Sequence, residues 1–342
     1  MENNIKQQWD LIGDIHGRYA SLVRLLEELG YESDREGGGF RHPEGRKVIF
    51  VGDFIDRGPN SFDVVSLAKR MVENGQALAV MGNHEFNFVS YMTPDDNGGY
   101  LRERSEKNTK LVRETLQSFR GRESALADAV EWMKALPFFL ELDGLRVVHA
   151  SWVPEDIDFL RESSLEDEAF LSAANRKGTR EYEAIEHVLK GIEAPLPDGI
   201  TLPDANGIER DSLRVKWWEN LDGKSWRAIA FPPREDLSEE VAAFKEGAGV
   251  AGVYPADAPP LFIGHYKLLN YEPFAATANI ASLDYGLGHG GDATAYRWRG
   301  ETRIEVGNFV QVSEEADVKS QVSVDDQFHC LSEVSEGGTV EE

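Results

Sequence analysis

Cysteine is almost absent from this 342-residue chain, Cys330 being its only one. A single thiol excludes an intramolecular disulfide and a cysteine-rich metal site. Positive charge is also scarce: 36 Lys and Arg stand against 61 Asp and Glu, a formal charge of −25 at pH 7. Affinity for a phosphate backbone comes from net neutralisation by Lys and Arg, so general nucleic-acid binding is excluded. Docking on an anionic membrane surface is disfavoured for the same reason. No apolar run approaches the roughly 18 residues that a membrane span requires. The opening MENNIKQQWD has neither the basic start nor the apolar core of an export signal. The expectation is a cytoplasmic protein with no membrane partner. Otherwise the composition is ordinary for a globular chain, and the length suits one large domain or two modest ones.

The first 90 residues alternate two periodicities. WDLIGD (9–14), KVIFVGD (47–53) and ALAVMGN (77–83) are short apolar runs, each closing on glycine and a polar residue. Between them lie RYASLVRLLEELG (18–30), with Leu22, Leu25, Leu26 and Leu29 on one helical face, and SFDVVSLAKRMVENG (61–75). This βαβαβ order predicts a parallel sheet with right-handed crossovers. Residues 101–136 read as two helices, and PFFLEL with LRVVHAS (137–151) as paired strands around Asp143-Gly144. The β pattern returns at LFIGHY (261–266), TANIASLDYG (277–286), ATAYRWRG (293–300) and TRIEVGN (302–308). Residues 152–260 differ: they are acidic, broken by Pro and Gly, and carry Trp217, Trp218 and Trp226. The expected organisation is a core of residues 1–151 and 261–312 with 152–260 as an insertion or cap. Residues 313–342 hold nine acidic residues and one lysine, and are expected to be a disordered tail.

In open α/β sheets ligands bind beyond the carboxyl ends of the strands. Asp14, His16, Asp53, Asp56, Asn83 and His84 should therefore gather on one edge, and His149 follows another apolar strand. Carboxylates, an amide oxygen and imidazoles make a ligand set suited to Mn²⁺, Fe, Zn²⁺, Ni²⁺ or Co²⁺ rather than Ca²⁺. One aspartate can bridge two such ions about 3.5–4 Å apart, as in two-metal hydrolytic sites.

The blocks GDIHG (13–17), GDFIDRG (52–58), GNHE (82–85), HA (149–150) and GH (264–265) stand in this order. On them the chain resembles the calcineurin-like metallophosphoesterases, and within these the PPP-type bacterial serine/threonine phosphatases and symmetrical diadenosine tetraphosphatases. SLDYG...GGDATAYRW (282–298) is similar to the closing strands of the bacterial PPP-type enzymes. The resemblance covers roughly residues 9–150 and 261–308. It implies an α/β sandwich of two mixed sheets flanked by helices, with a dimetal site at the strand ends. It also implies two divalent ions, with Mn²⁺ favoured. Asp14 and His16 would bind the first ion, Asp53 would bridge, and Asn83, His149 and His265 would complete the second. His84 would protonate the leaving group, held by Asp56, and Arg57 would grip the phosphate. A second phosphate-binding arginine is expected, Arg227 first and Arg214 next. Where broader relatives carry Gly-His-x-His, this chain has Gly264-His265-Tyr266-Lys267, so the first ion keeps fewer protein ligands.

The implied reaction is phosphoester hydrolysis by direct attack of a metal-bridging hydroxide. The leading substrate is a phosphomonoester or phosphoprotein. The alternative is a diadenosine tetraphosphate, and the remote alternative a non-catalytic binding module. Bland readings hold elsewhere. Glu85 reads as structural, His42 as solvated, His187 as a helix residue, His289 as a turn residue, and His329 as part of the tail. The three tryptophans read as core packing for the cap. Gly286-x-Gly288-x-x-Gly291 is followed by a strand pattern rather than a helix, so it is no dinucleotide fingerprint. Gly223-Lys224-Ser225 lacks the first glycine of a P-loop, which would fall at Trp218.

Overall fold

The computed structural model describes residues 7–34, 37–203, 209–242 and 253–313. The expected acidic tail, with Cys330 and His329, lies outside them except for residue 313. Among the described residues no helix is long and apolar enough to cross a membrane.

Two mixed sheets form the centre. The first runs in the order Phe309–Val312, Ala293–Trp298, Trp9–Ile12, Lys47–Phe50, Ala77–Ala79. Its last three strands are parallel, as the βαβαβ reading predicts, and Ala293–Trp298 joins Trp9–Ile12 antiparallel. The second sheet runs Ile280–Ser282, Leu261–Ile263, Leu145–Val148, Phe139–Leu142. Its first three strands are parallel and the last is antiparallel.

The period-2 alternation of each strand divides its side chains between two layers. Leu11 and Ile49 from one sheet meet Val147, Phe262 and Ala281 from the other in a buried layer between the sheets. Ile12, Val48 and Phe50 point the other way, into the layer under helices Tyr19–Glu28 and Ser61–Glu73. The leucines that mark the first helix in the sequence, Leu22, Leu25 and Leu26, are its buried face. Strands covered on both sides read as continuous apolar runs, which is why KVIF shows no alternation.

Two readings need correction. Residues 101–136 hold three helices, Glu106–Leu111, Arg113–Ser118 and Glu123–Lys134, because the first predicted helix breaks at Val112. Residues 302–308 are not a strand. Asn308 donates to Glu301 and lies against the Tyr296 hydroxyl, the Glu305 amide bonds that hydroxyl, and the chain turns before pairing at Phe309–Val312.

The described residues of 152–260 contribute helices Pro154–Leu160, Glu168–Ala174 and Arg180–Lys190, then ribbons two or three residues long and the short helix Trp226–Ile229. Their cohesion is aromatic. Trp217 is fully buried and meets Trp218 edge-on, Trp218 meets Phe231, and Phe231 packs against Tyr266 of the core. Trp217 and Trp218 are packing residues, as read. His42, read as solvated, is half-buried edge-on to Tyr31.

Candidate metal centre

Every strand whose carboxyl end faces the same edge delivers polar groups to it. Trp9–Ile12 is followed by Asp14 and His16, and Lys47–Phe50 by Asp53, Asp56 and Arg57. Ala77–Ala79 leads into helix Asn83–Met92, whose first residues are Asn83 and His84. Leu145–Val148 is followed by His149, and Leu261–Ile263 by His265.

The donor atoms of Asp14, Asp53 and His149 lie within 4.8 Å of one another, as do those of His16, Asp53 and His84. Asp53 belongs to both groups, and its two oxygens divide the site. Oδ2 is 3.7 Å from His16 Nε2, which is 3.9 Å from Asp14 Oδ2. Oδ1 is 3.4 Å from His149 Nε2 on the other side. There Asn83 Oδ1 lies 3.1 Å from His149 Nε2 and 2.8 Å from His265 Nδ1. The structure thus brings all six sequence-selected ligands together around one shared carboxylate; Asp14 lies within reach of His149 as well as His16, and the division into two half-sites, Asp14 and His16 against Asn83, His149 and His265, is the one the resemblance implies.

These residues fit a pair of divalent ions. His16 Nδ1 points at the Ile55 carbonyl (3.0 Å) and His149 Nδ1 at the Val51 carbonyl (2.8 Å). A carbonyl only accepts, so each Nδ1 carries a proton and each Nε2 is the nitrogen that faces inward, the orientation of metal-ligating histidines. The Arg57 guanidinium donates to His16 Nε2 at 2.8 Å, placing a cation where this donor set calls for one. Burial alone would push the His149 imidazole down, but the adjoining Asp53 carboxylate outweighs it and lifts it to about 10. Burial, then Asp284 and Asp53, hold Asp14 well above the usual carboxylate range. Both shifts express buried negative charge in need of positive charge.

The loops that carry these groups are held in unusual conformations. His16, Asp53, Asp56, Arg57 and His265 all have φ between 49° and 68°. Left-handed backbone costs an L-residue roughly 1–2 kcal/mol, though Asp and His tolerate it better than most. Glu85 offsets part of that cost. Fully buried, its carboxylate accepts from the amides of Asp53 (2.8 Å), Phe54 (2.8 Å), Ile55 (3.3 Å) and Gly82 (3.1 Å). It clamps the bridging aspartate's loop to the helix that presents Asn83. Gly264 meets a different demand, because a Cβ there would lie 2.1 Å from Asp14 Oδ1.

Beside the half-sites, His84 Nδ1 donates to Asp56 Oδ2 at 2.6 Å. Burial works against the charged imidazole, yet Asp53 and Asp56 outweigh it and raise the His84 pKa. Asp56 is held in turn by Thr115, whose hydroxyl donates to Asp56 Oδ1 at 2.5 Å and receives the Asp56 amide at 2.9 Å. Thr115 went unnoticed in the sequence, since nothing in RETLQSF marks one hydroxyl on a helix. Asp284, also missed, is a buried carboxylate in electrostatic reach of Asp14. The signal for it was available, because it follows the apolar run NIASL just as Asp14 follows WDLIG.

The two candidate phosphate arginines separate. Arg227 is tied down within the 152–260 segment, with Nη1 2.8 Å from Glu239 and Nε donating to the Leu237 carbonyl. Arg214 is paired too, its Nε donating to Glu193 Oε1 at 3.3 Å, but its charge reaches the centre. Burial is the main cause of His265's lowered pKa, and Arg214 is the next.

Residues 10–233 match the calcineurin-like phosphoesterase family. A relative from Halalkalibacterium halodurans, named bis(5'-nucleosyl)-tetraphosphatase PrpE (asymmetrical), is 47% identical over 25% of this chain and 34% of its own length. One of the same name from Oceanobacillus iheyensis is 29% identical over 43% of this chain and 57% of its own length. The chain thus spans from a third to somewhat over half of these relatives. Among solved structures, a metallophosphoesterase from Sphaerobacter thermophilus is 14% identical, with a TM-score of 0.44 over 94% of each chain.

Proposed function

The chain belongs to the calcineurin-like phosphoesterase family, and from that premise we propose that it is a dimetal phosphohydrolase whose substrate is a dinucleoside polyphosphate. The observation that carries the hydrolase reading is Asp53, shared between two donor sets with the His84–Asp56 pair alongside. When bound there, a pair of divalent ions, Mn²⁺ foremost, supplies Lewis acidity and lowers the pKa of water.

The chain's own groups supply the rest. Arg57, exposed and in contact with both His16 and His84, grips the oxygens of the phosphoryl group under attack. Phosphoryl transfer demands mainly positioning and charge stabilisation, which a guanidinium fork provides. His84 holds a proton on Nε2 and gives it to the leaving oxygen. Its raised pKa keeps that proton in place near neutrality, and Asp56, steadied by Thr115, fixes the ring and its tautomer. Arg214, bonded to Glu193 and in electrostatic reach of His265, supplies a second positive charge for the substrate.

The substrate reading is supported by the relatives' names, which favour a dinucleotide over the phosphoprotein suggested by the PPP-type resemblance. They also specify asymmetrical cleavage in place of the symmetrical cut expected from the sequence. Product analysis tests both points. Metal-stripped protein reloaded with Mn²⁺ is incubated with diadenosine tetraphosphate and, separately, with phosphoserine peptide. ATP plus AMP is the expected outcome, whereas two ADP would restore the symmetrical reading. Phosphate released from the peptide with the dinucleotide untouched would overturn the substrate assignment.

A further inference from the structure

Helix Asn83–Met92 begins at the metal centre, and only Asn83, His84, Asn87 and Met92 along it escape burial. Spacings of three and four set Asn87 on one stripe with His84 and Asn83, a helical turn of about 5.4 Å further along. Arg102 lies on this stripe. Its Nη1 donates to Asn87 Oδ1 at 2.8 Å and its Nη2 to Asn108 Oδ1 at 3.3 Å. Backbone holds it there: the Arg102 amide donates to the Ser90 carbonyl, and the Leu101 amide to the Thr93 carbonyl, both at 3.0 Å. Asn108 is fixed in turn, its Nδ2 donating to the Glu103 carbonyl at 2.8 Å, which leaves its Oδ1 for the guanidinium. Both partners of this half-buried cation are thus neutral amides, and among the described residues no carboxylate is in ion-pair contact with it. The acids within its electrostatic reach are engaged elsewhere, Glu186 by Lys190 and Asp56 by His84 and Thr115. Charges withdrawn from water are ordinarily paired, as Arg46 is with Asp10, Arg146 with Glu141 and Arg180 with Asp156. Arg57, which the reading above sets on phosphate, shares with Arg102 the lack of a carboxylate partner.

We propose that Arg102 binds a phosphate carried by the leaving group, so that the enzyme favours substrates from which a nucleotide or polyphosphate departs. This rests on the phosphohydrolase reading above and deepens it. There His84 gives its proton to the leaving oxygen, so whatever that oxygen carries departs on the His84 side. The open stripe from His84 to Asn87 leads from that oxygen to the Arg102 guanidinium. Being a turn further on, Arg102 meets a phosphate beyond the leaving oxygen rather than the oxygen itself. Only two of the five N–H groups of a guanidinium are engaged by Asn87 and Asn108, and the rest remain for a phosphate. In a chain of formal charge −25, a cation without a carboxylate partner is a local exception to the global field, and an anionic leaving group supplies the counter-charge that the protein withholds.

Calorimetric titration of the Mn²⁺-loaded full chain with inorganic phosphate and with tripolyphosphate, at fixed free metal, tests this without relying on turnover. Tripolyphosphate, long enough to reach both positions, should bind at least about tenfold tighter than phosphate, the scale of one charge-assisted hydrogen bond. Arg102→Gln keeps an N–H for Asn87 but drops the charge, and should remove most of that preference. Arg102→Lys keeps the charge and should retain part of it. A purely structural role for Arg102 would weaken both ligands together and leave their ratio unchanged. Should Arg102→Gln fail to fold, Asn108→Ala loosens the aim of the guanidinium and should lower the preference about threefold, as loss of a neutral hydrogen bond does. Equal affinities in the parent protein, or a preference left intact by Arg102→Gln or, in its absence, by Asn108→Ala, overturns the proposal. Failure of the hydrolase reading looks different: two equivalents of Mn²⁺ would not bind, or no phosphoester or anhydride would be cleaved, whatever the tripolyphosphate preference.

Discussion

The two half-sites share a carboxylate but are built in different ways. Asp14, His16 and Asp53 follow two neighbouring parallel strands of one sheet. Their placement depends on local backbone: left-handed residues at 16 and 53, and the Glu85 clamp. Asn83, His149 and His265 come from three separate elements in both sheets, and the Asn83–His265 contact spans 182 positions. Their placement depends on the docking of the sheets through Leu11, Ile49, Val147 and Phe262. The arginines differ as well: Arg57 donates directly to His16, whereas Arg214 is bonded to Glu193 and acts on His265 only through its charge. The first half-site leans on turn chemistry, while the second adds the docking of two sheets to one left-handed turn at His265, so a change confined to the second should spare the first.

Asp53→Asn should collapse the distinction. It removes the shared charge, so both ions and more than roughly 10³-fold of the rate should be lost together, as metal analysis and kinetics would show. His265→Gln should break only the second half-site, lowering the metal stoichiometry from two to one. Retention of two tightly held ions in that variant would show that the half-sites are not assembled independently. His84→Asn should leave both ions in place yet cost roughly 10²–10⁴-fold with a poor leaving group. Because the His84 pKa is raised and the protonated form is the donor, the parent protein's rate should fall as pH climbs through the raised value. In Asp56→Asn the same limb should move toward lower pH, which a pH–rate profile would reveal. Thr115→Val should produce the same kind of shift, with a loss of only about tenfold, the scale of one hydrogen bond. Arg214→Ala should weaken phosphate binding, whereas Arg227→Ala should change it less than about twofold, its partner being an exposed glutamate.

The comparison also explains what was legible. Turn chemistry is written in contiguous residues, so Asp14, His16, Asp53 and Asp56 could be read from their places after apolar strands, and Arg57 from the resemblance carried by GDFIDRG. The first sheet's parallel core could be read from the alternation of apolar runs and helices. His149 and His265 were accessible because each follows an apolar strand, but their meeting at Asn83 needs the sheet order, which no local pattern encodes. Thr115 was out of reach, and Arg214 could not be ranked against Arg227, for the same reason. One is a single hydroxyl on a short helix, and the other lies in a ribbon three residues long. Residues 152–260 resisted reading because aromatic contacts such as Trp218–Phe231–Tyr266 hold them, and such contacts have no period.

Left-handed backbone at five of the working residues has an evolutionary consequence. At roughly 1–2 kcal/mol each, those conformations draw on a sizeable share of the 5–15 kcal/mol by which domains are typically stable. Selection for turnover maintains them; selection for folding alone would replace them. A descendant of this chain released from catalysis should therefore drift toward glycine or asparagine at 53, 56 and 57 while its apolar strands persist. Such a lineage would melt at a higher temperature than its active ancestor, and the altered loops would identify it as retired before any assay was run.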